Sequence, residues 1–169
     1  MKKVLLSLMA LVAFTCSYAQ KTAADYITKS KKYSTLESAL TSADLMSTLK
    51  GAGPFTIFAP VNDGFDMLSP GVLGNLLTVE SHDKLVTILK YHVMSGLWTT
   101  KAITKAVEKG SGKAELRTIE GKTITAVMVG KKIKLTDDLG RSAYIKKCNK
   151  KVSNGYVHSI DGVMMPKIQ

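Results

Sequence analysis

The spacing of apolar residues changes once along the chain, and the change separates two kinds of secondary structure. Between residues 34 and 109, apolar residues recur three and four positions apart, which is typical of one face of a helix. After about residue 122 they alternate with polar residues, which is typical of a half-buried strand. One strand is predicted among the helices, because residues 55–59 are rich in aromatic and β-branched residues and Pro60 follows them. Helices first and antiparallel strands second predict an α+β fold.

Capping residues predict where several helices begin. Ser34 and Glu37 have the spacing of a capping box, and Asn62 has the character of a helix start. The clearest helix begins after Ser81, and another covers residues 99–109 ahead of a glycine turn. The predicted apolar positions are Leu36, Ala39, Leu40 and Ala43 in the first helix, Phe65 and Leu68 in the second, and Leu85, Ile88, Leu89 and His92 in the third.

The C-terminal third of the chain contains most of the predicted sheet. The inward-facing positions of two strands are Ile124, Ala126, Met128, Ile133 and Leu135. Residues 144–152 carry lysines on both faces of any strand that they form, so this segment is predicted to be an edge strand or a loop. Ser153-Asn154-Gly155 is the predicted hairpin turn, and residues 156–165 are predicted to form a last strand pair closed by Pro166.

The first 19 residues have the three-part pattern of a secretory signal peptide. A positive start precedes an apolar run over residues 4–14, and Ala19 is the small residue before a cut ahead of Gln20. The run is shorter than the roughly 20 residues that a permanent membrane span needs. A lipoprotein cut before Cys16 is the alternative. Residues 20–32 are predicted to be an N-terminal leader, residues 33–167 are predicted to be the folded domain, and no transmembrane segment is expected after the cut.

Composition narrows the classes of function. The chain has 169 residues, of which 45% are hydrophobic, and this is enough for the core of one domain. Its net charge of +11 indicates an anionic partner. The three histidines lack the spacing of a zinc site and stand near no motif-bearing nucleophile, so no metal, cofactor or catalytic residue is predicted. Cys148, which remains after the cut, is predicted to be a small residue packed in a strand.

Three segments carry a family resemblance. Residues 53–60 read Gly-Pro-Phe-Thr-Ile-Phe-Ala-Pro, Tyr91-His92 ends an amphipathic helix, and residues 154–166 read Asn-Gly-Tyr-Val-His-Ser-Ile-Asp-Gly-Val-Met-Met-Pro. Together they closely resemble the sequence boxes of the fasciclin domain, over roughly residues 33–167. The resemblance implies that the box residues are structural: Phe55, Thr56, Phe58, Ala59, Pro60, Phe65, Tyr91, His92, Asn154, Gly155, His158, Ile160 and Asp161.

The resemblance also implies a fold and a function. It implies a seven-stranded, antiparallel-rich β-wedge or sandwich flanked by several short helices, in a single-domain, secreted, bacterial-type member of the family. The location implied is periplasmic, extracellular or on the cell surface. The function implied is adhesion to a cell-surface or matrix protein or polysaccharide, or within a biofilm, without catalysis or a cofactor. The alternative is a carrier of a small apolar pigment or lipid. Specific nucleic-acid binding is not expected, because no base-stacking aromatic platform is present.

One departure from the family pattern concerns charge. Adhesive animal members carry an Asp-Ile pair ahead of the last box, whereas residues 148–152 of this chain read Cys-Asn-Lys-Lys-Val. A carboxylate that could meet a receptor's metal is missing, so an anionic surface is the favoured partner. The candidate polyanion-binding residues are Lys131, Lys132, Lys134, Lys146, Lys147, Lys150 and Lys151. The alternative is that these lysines only protect a sheet edge from aggregation.

The signal-peptide hypothesis predicts the mass of the exported protein. We expect the mature chain to begin at Gln20, because the apolar run ends near residue 14 and Ala19 precedes the cut. Intact mass spectrometry of the secreted protein measures this directly. Retention of residues 1–19, or an acylated Cys16 at the new N-terminus, contradicts the prediction.

Overall fold

The structure, a computed structural model, describes residues 21–167, so the predicted signal peptide lies outside the described residues. The α-helices are α1 (Ala23–Thr28), α2 (Ser34–Ser42), α3 (Met46–Lys50), α4 (Asn62–Asp66), α5 (Val72–Leu76), α6 (His82–Tyr91) and α7 (Thr100–Lys109). The strands are β1 (Phe55–Pro60), β2 (Val93–Ser95), β3 (Lys113–Arg117), β4 (Thr123–Val129), β5 (Lys132–Thr136), β6 (Ser142–Val152) and β7 (Gly155–Ile160). Two short 3-10 helices, Lys31–Tyr33 and Val79–Ser81, precede α2 and α6.

The seven strands form one mixed sheet in the order β2-β1-β7-β6-β5-β4-β3. Every neighbouring pair is antiparallel except β1 and β7, which run parallel. An isolated bridge between Met94 and Thr118 joins the two ends of the sheet, and the amide of Ile119 donates to the carbonyl of Val93 at 2.8 Å. The sheet is therefore nearly closed into a barrel, and the predicted α+β fold with seven strands and short flanking helices is confirmed.

Two apolar cores meet at β1. On one face of the strand, Ile57 and Ala59 pack with the buried residues of α1, α2, α3 and α6. On the other face, Phe58 packs with α7 and the inward residues of β3 to β7. Because both faces of β1 are buried, its sequence is almost continuously apolar rather than alternating.

The contact between β1 and β7 requires a glycine at residue 155. Phe55 lies opposite Gly155 in the parallel register, and a Cβ at residue 155 would overlap the carbonyl oxygen of Phe55. The φ angle of Gly155 is 151°, which side chains rarely adopt. The predicted hairpin turn lies where expected, since Val152 pairs with Gly155 across Ser153 and Asn154.

The predicted leader is replaced by a helix of the domain. Ala23, Ala24 and Ile27 of α1 are buried in the helical core, and Thr22 and Asp25 form a capping box at the start of the helix. Polar composition misled the prediction, because three of the six residues of α1 are buried and Tyr26 packs half-buried against the same core.

The predicted cap of α2 is also wrong. The 3-10 helix leads directly into α2, so Ser34 is already helical and its side chain cannot act as the N-cap. Asn62, predicted to cap its own helix, instead reaches α2: its Oδ1 accepts from the amide of Thr35 at 3.2 Å, and its Nδ2 donates to the carbonyl of Lys31 at 2.9 Å. The side-chain amide of Asn62, which comes from another element, thus supplies the cap that the local sequence was expected to provide.

The N-terminal end of strand β6 lies between two strands, whereas its C-terminal end has a strand partner on one side. Residues 142–144 pair with β5, whereas the residues that pair from Ile145 to Val152 do so with β7. The prediction of an edge strand or loop for residues 144–152 is wrong at Tyr144, which pairs with Lys134 of β5, and holds for the lysine-rich part. Residues 156–165 do not form a strand pair, because β7 ends at Ile160 and the chain leaves the sheet.

A buried histidine fixes this last segment to α6. Nδ1 of His92 donates to the carbonyl of Ile88 at 2.8 Å, and Nε2 accepts from the amide of Met164 at 3.0 Å. Only the neutral imidazole can make both bonds. Burial lowers the pKa of His92 to about 4, although the carbonyl of Ile88 and the charge of Asp137 act in the opposite direction.

The first stability prediction concerns Phe58, which is fully buried in β1. Phe58→Ala removes a ring from the second core, and we expect the free energy of unfolding to fall by about 3–5 kcal/mol. Chemical denaturation measures the change. A loss below about 1 kcal/mol, the size typical of surface substitutions, contradicts the placement of this side chain in the core.

The second stability prediction concerns pH. The pKa of His92 is lower in the folded than in the unfolded protein, so the unfolded chain binds a proton first as pH falls below about 6.5. Stability is therefore complete above this pH and decreases toward pH 4. Between pH 7 and pH 5 the contribution of His92 amounts to about 2 kcal/mol.

The pH prediction is measured by denaturation at both pH values in the wild type and in two variants. His92→Gln loses this part of the pH dependence, whereas His82→Gln, altered at a partly exposed histidine, keeps it. An equal pH dependence in the wild type and in His92→Gln contradicts the assignment.

Candidate functional site

The residues of the family boxes lie inside the fold rather than on a binding surface. Phe58, Ala59 and Ile160 are fully buried, Pro60 and Phe65 are buried, and Phe55 is only half-buried. The polar box residues make hydrogen bonds between elements. The hydroxyl of Thr56 donates to the carbonyl of Gly96 at 2.7 Å, that of Tyr91 donates to the carbonyl of Thr123 at 2.7 Å, and Oδ1 of Asp161 accepts from the amide of Tyr144 at 2.6 Å. These hydrogen bonds join elements of the fold that are distant in the sequence.

Asn154 shows how much one box residue connects. Its Nδ2 donates to the carbonyls of Leu49 and Gly51 at 2.8 and 3.0 Å, and its Oδ1 accepts from the amide of Ala23 at 2.9 Å. The β6–β7 turn is thereby tied to the end of α3 and to the start of α1. A buried amide with all of these bonds satisfied stabilises the packing of three elements.

The candidate lysines do not form one strip, because a bulge interrupts β6. The register of β6 against β7 shifts between Ile145 and Lys147 and again between Lys147 and Lys150, and Asn149 has a φ of 54°. The amide of Asn149 donates to Nδ1 of His158 at 3.2 Å, and its Oδ1 accepts from the amide of Thr100 at 2.8 Å. The bulge therefore docks on α7 and distributes the lysines of β6 over two surfaces.

His158 holds the inner side of this bulge. Its Nε2 donates to the carbonyl of Trp98 at 2.7 Å, and its ring packs against Phe58 with the centroids 5.7 Å apart. Burial lowers the pKa of His158, against the opposing effect of the Trp98 carbonyl. The neutral ring accepts from Asn149 at one nitrogen and donates at the other.

The first lysine surface, which we call the α7 groove, lies between α7 and the ends of β4, β5 and β6. It has a volume of about 840 Å³ and brings together Lys131, Lys132 and Lys146 from the candidate set with Lys101 and Lys105 from α7. Cys148 also lines this groove and is exposed, so the prediction of a packed cysteine is wrong. The bulge turns this side chain outward next to Lys146 instead of into the core.

The second lysine surface, which we call the α1 face, joins α1 to the end of β6. A recess there is lined by Tyr26, Lys21, Lys29, Lys150 and Lys151. Nζ of Lys150 lies 5.4 Å from the centroid of the Tyr26 ring. Burial and the neighbouring Tyr33 raise the pKa of the Tyr26 hydroxyl, while the positive charges of Lys32 and Lys147 lower it.

Lys134 belongs to neither surface. It lies half-buried on β5 opposite Tyr144 and lines neither recess. Of the candidate lysines, Lys146 is the one with an ion pair among residues 21–167, to Oδ2 of Asp161 at 3.6 Å. Both surfaces therefore carry several uncompensated positive charges, which attract anions most strongly at low salt.

The helical half of each surface was not predicted from the sequence. Lys101 and Lys105 are four residues apart in a helix that was predicted correctly, so their shared face could have been read from the spacing. Lys21, Tyr26 and Lys29 were missed because their segment was predicted to lie outside the domain.

Among residues 21–167, no helix combines the length and apolar character of a membrane span, and no cluster of three or more potential metal ligands is found.

Comparison with known proteins agrees with this architecture. The chain is 34% identical over 157 residues to the protein sll1483 of Synechocystis sp., and the match covers 93% of this chain and 80% of that protein. It is 31% identical over 147 residues to human periostin, and this match covers 84% of this chain but 15% of periostin. The FAS1 domain pair of the insect cell adhesion molecule Fasciclin I matches with a TM-score of 0.75 at 17% identity, over 86% of this chain and 51% of that chain.

The match to a family is equally broad. The family model described as the Fasciclin domain covers residues 31–166, which is most of the chain and includes every box residue named above. Sequence, fold and box residues therefore agree, and the chain belongs to the fasciclin domain family.

Proposed function

We propose that this protein is a secreted, non-enzymatic adhesion module that attaches to an acidic polysaccharide of a cell surface or matrix through its α1 face. The observation that carries the proposal is the convergence of Lys21, Lys29, Lys150 and Lys151 around Tyr26. Lysines without carboxylate partners attract a polyanion, and an aromatic ring offers a flat apolar face to a sugar. Fasciclin I, which shares this fold, is a cell adhesion molecule, and this supports the same class of function.

The position of the lysines favours a polymer over a membrane. The charges of the α1 face come from two elements, and the apolar residues of α1 point into the core rather than outward. A membrane-binding helix needs an apolar face that enters the lipid, and α1 keeps none free. A long anionic chain needs only exposed charges along its path, which the α1 face provides.

The cluster around Ser159 supports a non-enzymatic role. Oγ of Ser159 lies 2.9 Å from Nζ of Lys32 and 2.7 Å from the hydroxyl of Tyr33, a set of groups that resembles an activated nucleophile. Ser159 is however 3% exposed and Tyr33 is fully buried, so no substrate can approach the hydroxyl oxygen. The cluster instead fastens the 3-10 helix to β7.

The adhesion proposal is tested with two triple variants that lose the same charge. Lys147→Gln, Lys150→Gln and Lys151→Gln alter the α1 face, whereas Lys84→Gln, Lys109→Gln and Lys113→Gln alter exposed lysines elsewhere. Exposed ion pairs contribute about 0.2–1 kcal/mol each, so we expect the first variant to bind immobilised heparin about tenfold more weakly. Its thermal midpoint stays close to the wild-type value, because all three side chains are exposed.

The control variant and salt distinguish adhesion from edge protection. Binding of the wild type weakens steeply as salt rises above about 0.1 M, and the control variant binds almost as well as the wild type. Equal weakening in both variants means that net charge alone drives binding. Undiminished binding by the α1-face variant means that its lysines only protect the open side of β6, and either result refutes the proposed site.

A further inference from the structure

The α7 groove has an apolar floor that a surface for a polyanion does not need. Met128 and Ile133 lie opposite each other on β4 and β5, and Ile145 on β6 completes the floor. The hydroxyl of Thr104 donates to Sδ of Met128 at 3.7 Å, which holds the thioether beneath the helix. Ile133 and Ile145 are buried with only their edges at the groove, whereas Met128 is half-buried, so its side chain is the part of the floor most available to a ligand.

The rim of the groove is positive on opposite sides. Lys101 and Lys105 extend from α7, Lys131 and Lys132 come from the β4–β5 turn, and Lys146 comes from β6. One lining residue, Glu108, carries a negative charge. In the ion pair between Lys146 and Asp161, Nζ lies 3.6 Å from Oδ2, which is long for such a contact. An anion at the mouth would meet positive charge on more than one side.

The helix is fixed relative to the sheet, so the groove is preformed. Ile103 and Val107 pack α7 onto the strands, and Asn149 bonds to both the amide and the hydroxyl of Thr100, each at 2.8 Å. A preformed cleft of about 840 Å³ lies within the range of about 300–1,000 Å³ that small-molecule sites occupy.

We propose that the α7 groove binds a small amphipathic anion, with a carboxylate or phosphate headgroup at the lysine rim and a short apolar chain on the Met128–Ile133–Ile145 floor. Charge complementarity selects the headgroup, and burial of the chain supplies the apolar contact. The site is separate from the α1 face, and it stands or falls independently of adhesion to a polysaccharide. Free fatty acids and acidic single-chain lipids share this chemistry.

The probe for the experiment is decanoate, and exposed Cys148 reports where it binds. Bound decanoate slows alkylation of Cys148, measured as the mass shift of the proteolytic peptide that contains this residue. Isothermal titration of the secreted protein gives the affinity. Acetate, which has the headgroup alone, leaves the alkylation rate unchanged, and uncharged decanol binds at least about fivefold more weakly than decanoate, as expected for the loss of one or two exposed charge contacts.

Three variants locate the site. Lys101→Gln with Lys105→Gln weakens decanoate binding about fivefold through the rim, and Met128→Gln weakens it through the floor without changing the charge. Lys84→Gln with Lys113→Gln removes the same charge away from the groove and retains wild-type affinity. The α1-face triple variant also retains it, which separates this proposal from the adhesion proposal.

Four results overturn the proposal. They are unchanged alkylation of Cys148 with decanoate present, equal binding of decanol and decanoate, equal losses in the groove and control variants, and unchanged binding by Met128→Gln. A phosphate arm with decyl phosphate distinguishes the headgroup: tighter binding than decanoate indicates an acidic phospholipid-type ligand, and weaker binding indicates a fatty acid.

Discussion

The parallel pairing of β1 with β7 is the constraint on which the rest of this structure depends. It places a strand from the helical half of the chain next to the last strand, with each β1 residue from Phe55 to Pro60 opposite one residue of β7. Both faces of β1 are buried, so the pair separates the two cores and belongs to each. The close approach at Gly155 and the amide of Asn154 fix the start of the pair. The two longer segments that resemble the family boxes, residues 53–60 and 154–166, contain this pair.

The two histidines of the boxes have related roles at the edges of this pair. His92 joins α6 to the segment after β7, and His158 joins the β6 bulge to the loop that precedes α7. Each ring donates at one nitrogen and accepts at the other, so each works only when neutral. Burial supplies that condition by lowering both pKa values. Both histidines therefore connect elements of the fold.

Much of the fold was predictable from periodicity, because local spacing determines which elements form. The helices α6 and α7, the strands β1, β4 and β5 and the hairpin at Ser153-Asn154 follow their sequence patterns. Failures occurred where a tertiary partner replaced a local signal. Asn62 caps α2 from a distance, α1 is ordered by the core that it covers, and Cys148 is turned outward by a bulge that no apolar pattern marks. The division of the lysines into two surfaces follows from the same bulge, so it could not be read from alternation along β6.

The strand order has a consequence for the time course of folding. Phe55 pairs with Gly155, one hundred residues later, and the other partner of β1 is the three-residue strand β2. The sheet therefore cannot be completed until residues 155–160 have been synthesised, and contacts between distant residues slow folding. Until then, the helical core lacks Val152 and Val157, which β6 and β7 contribute to it. The closed sheet and the complete helical core therefore form together, once the hairpin of β6 and β7 can pair with β1.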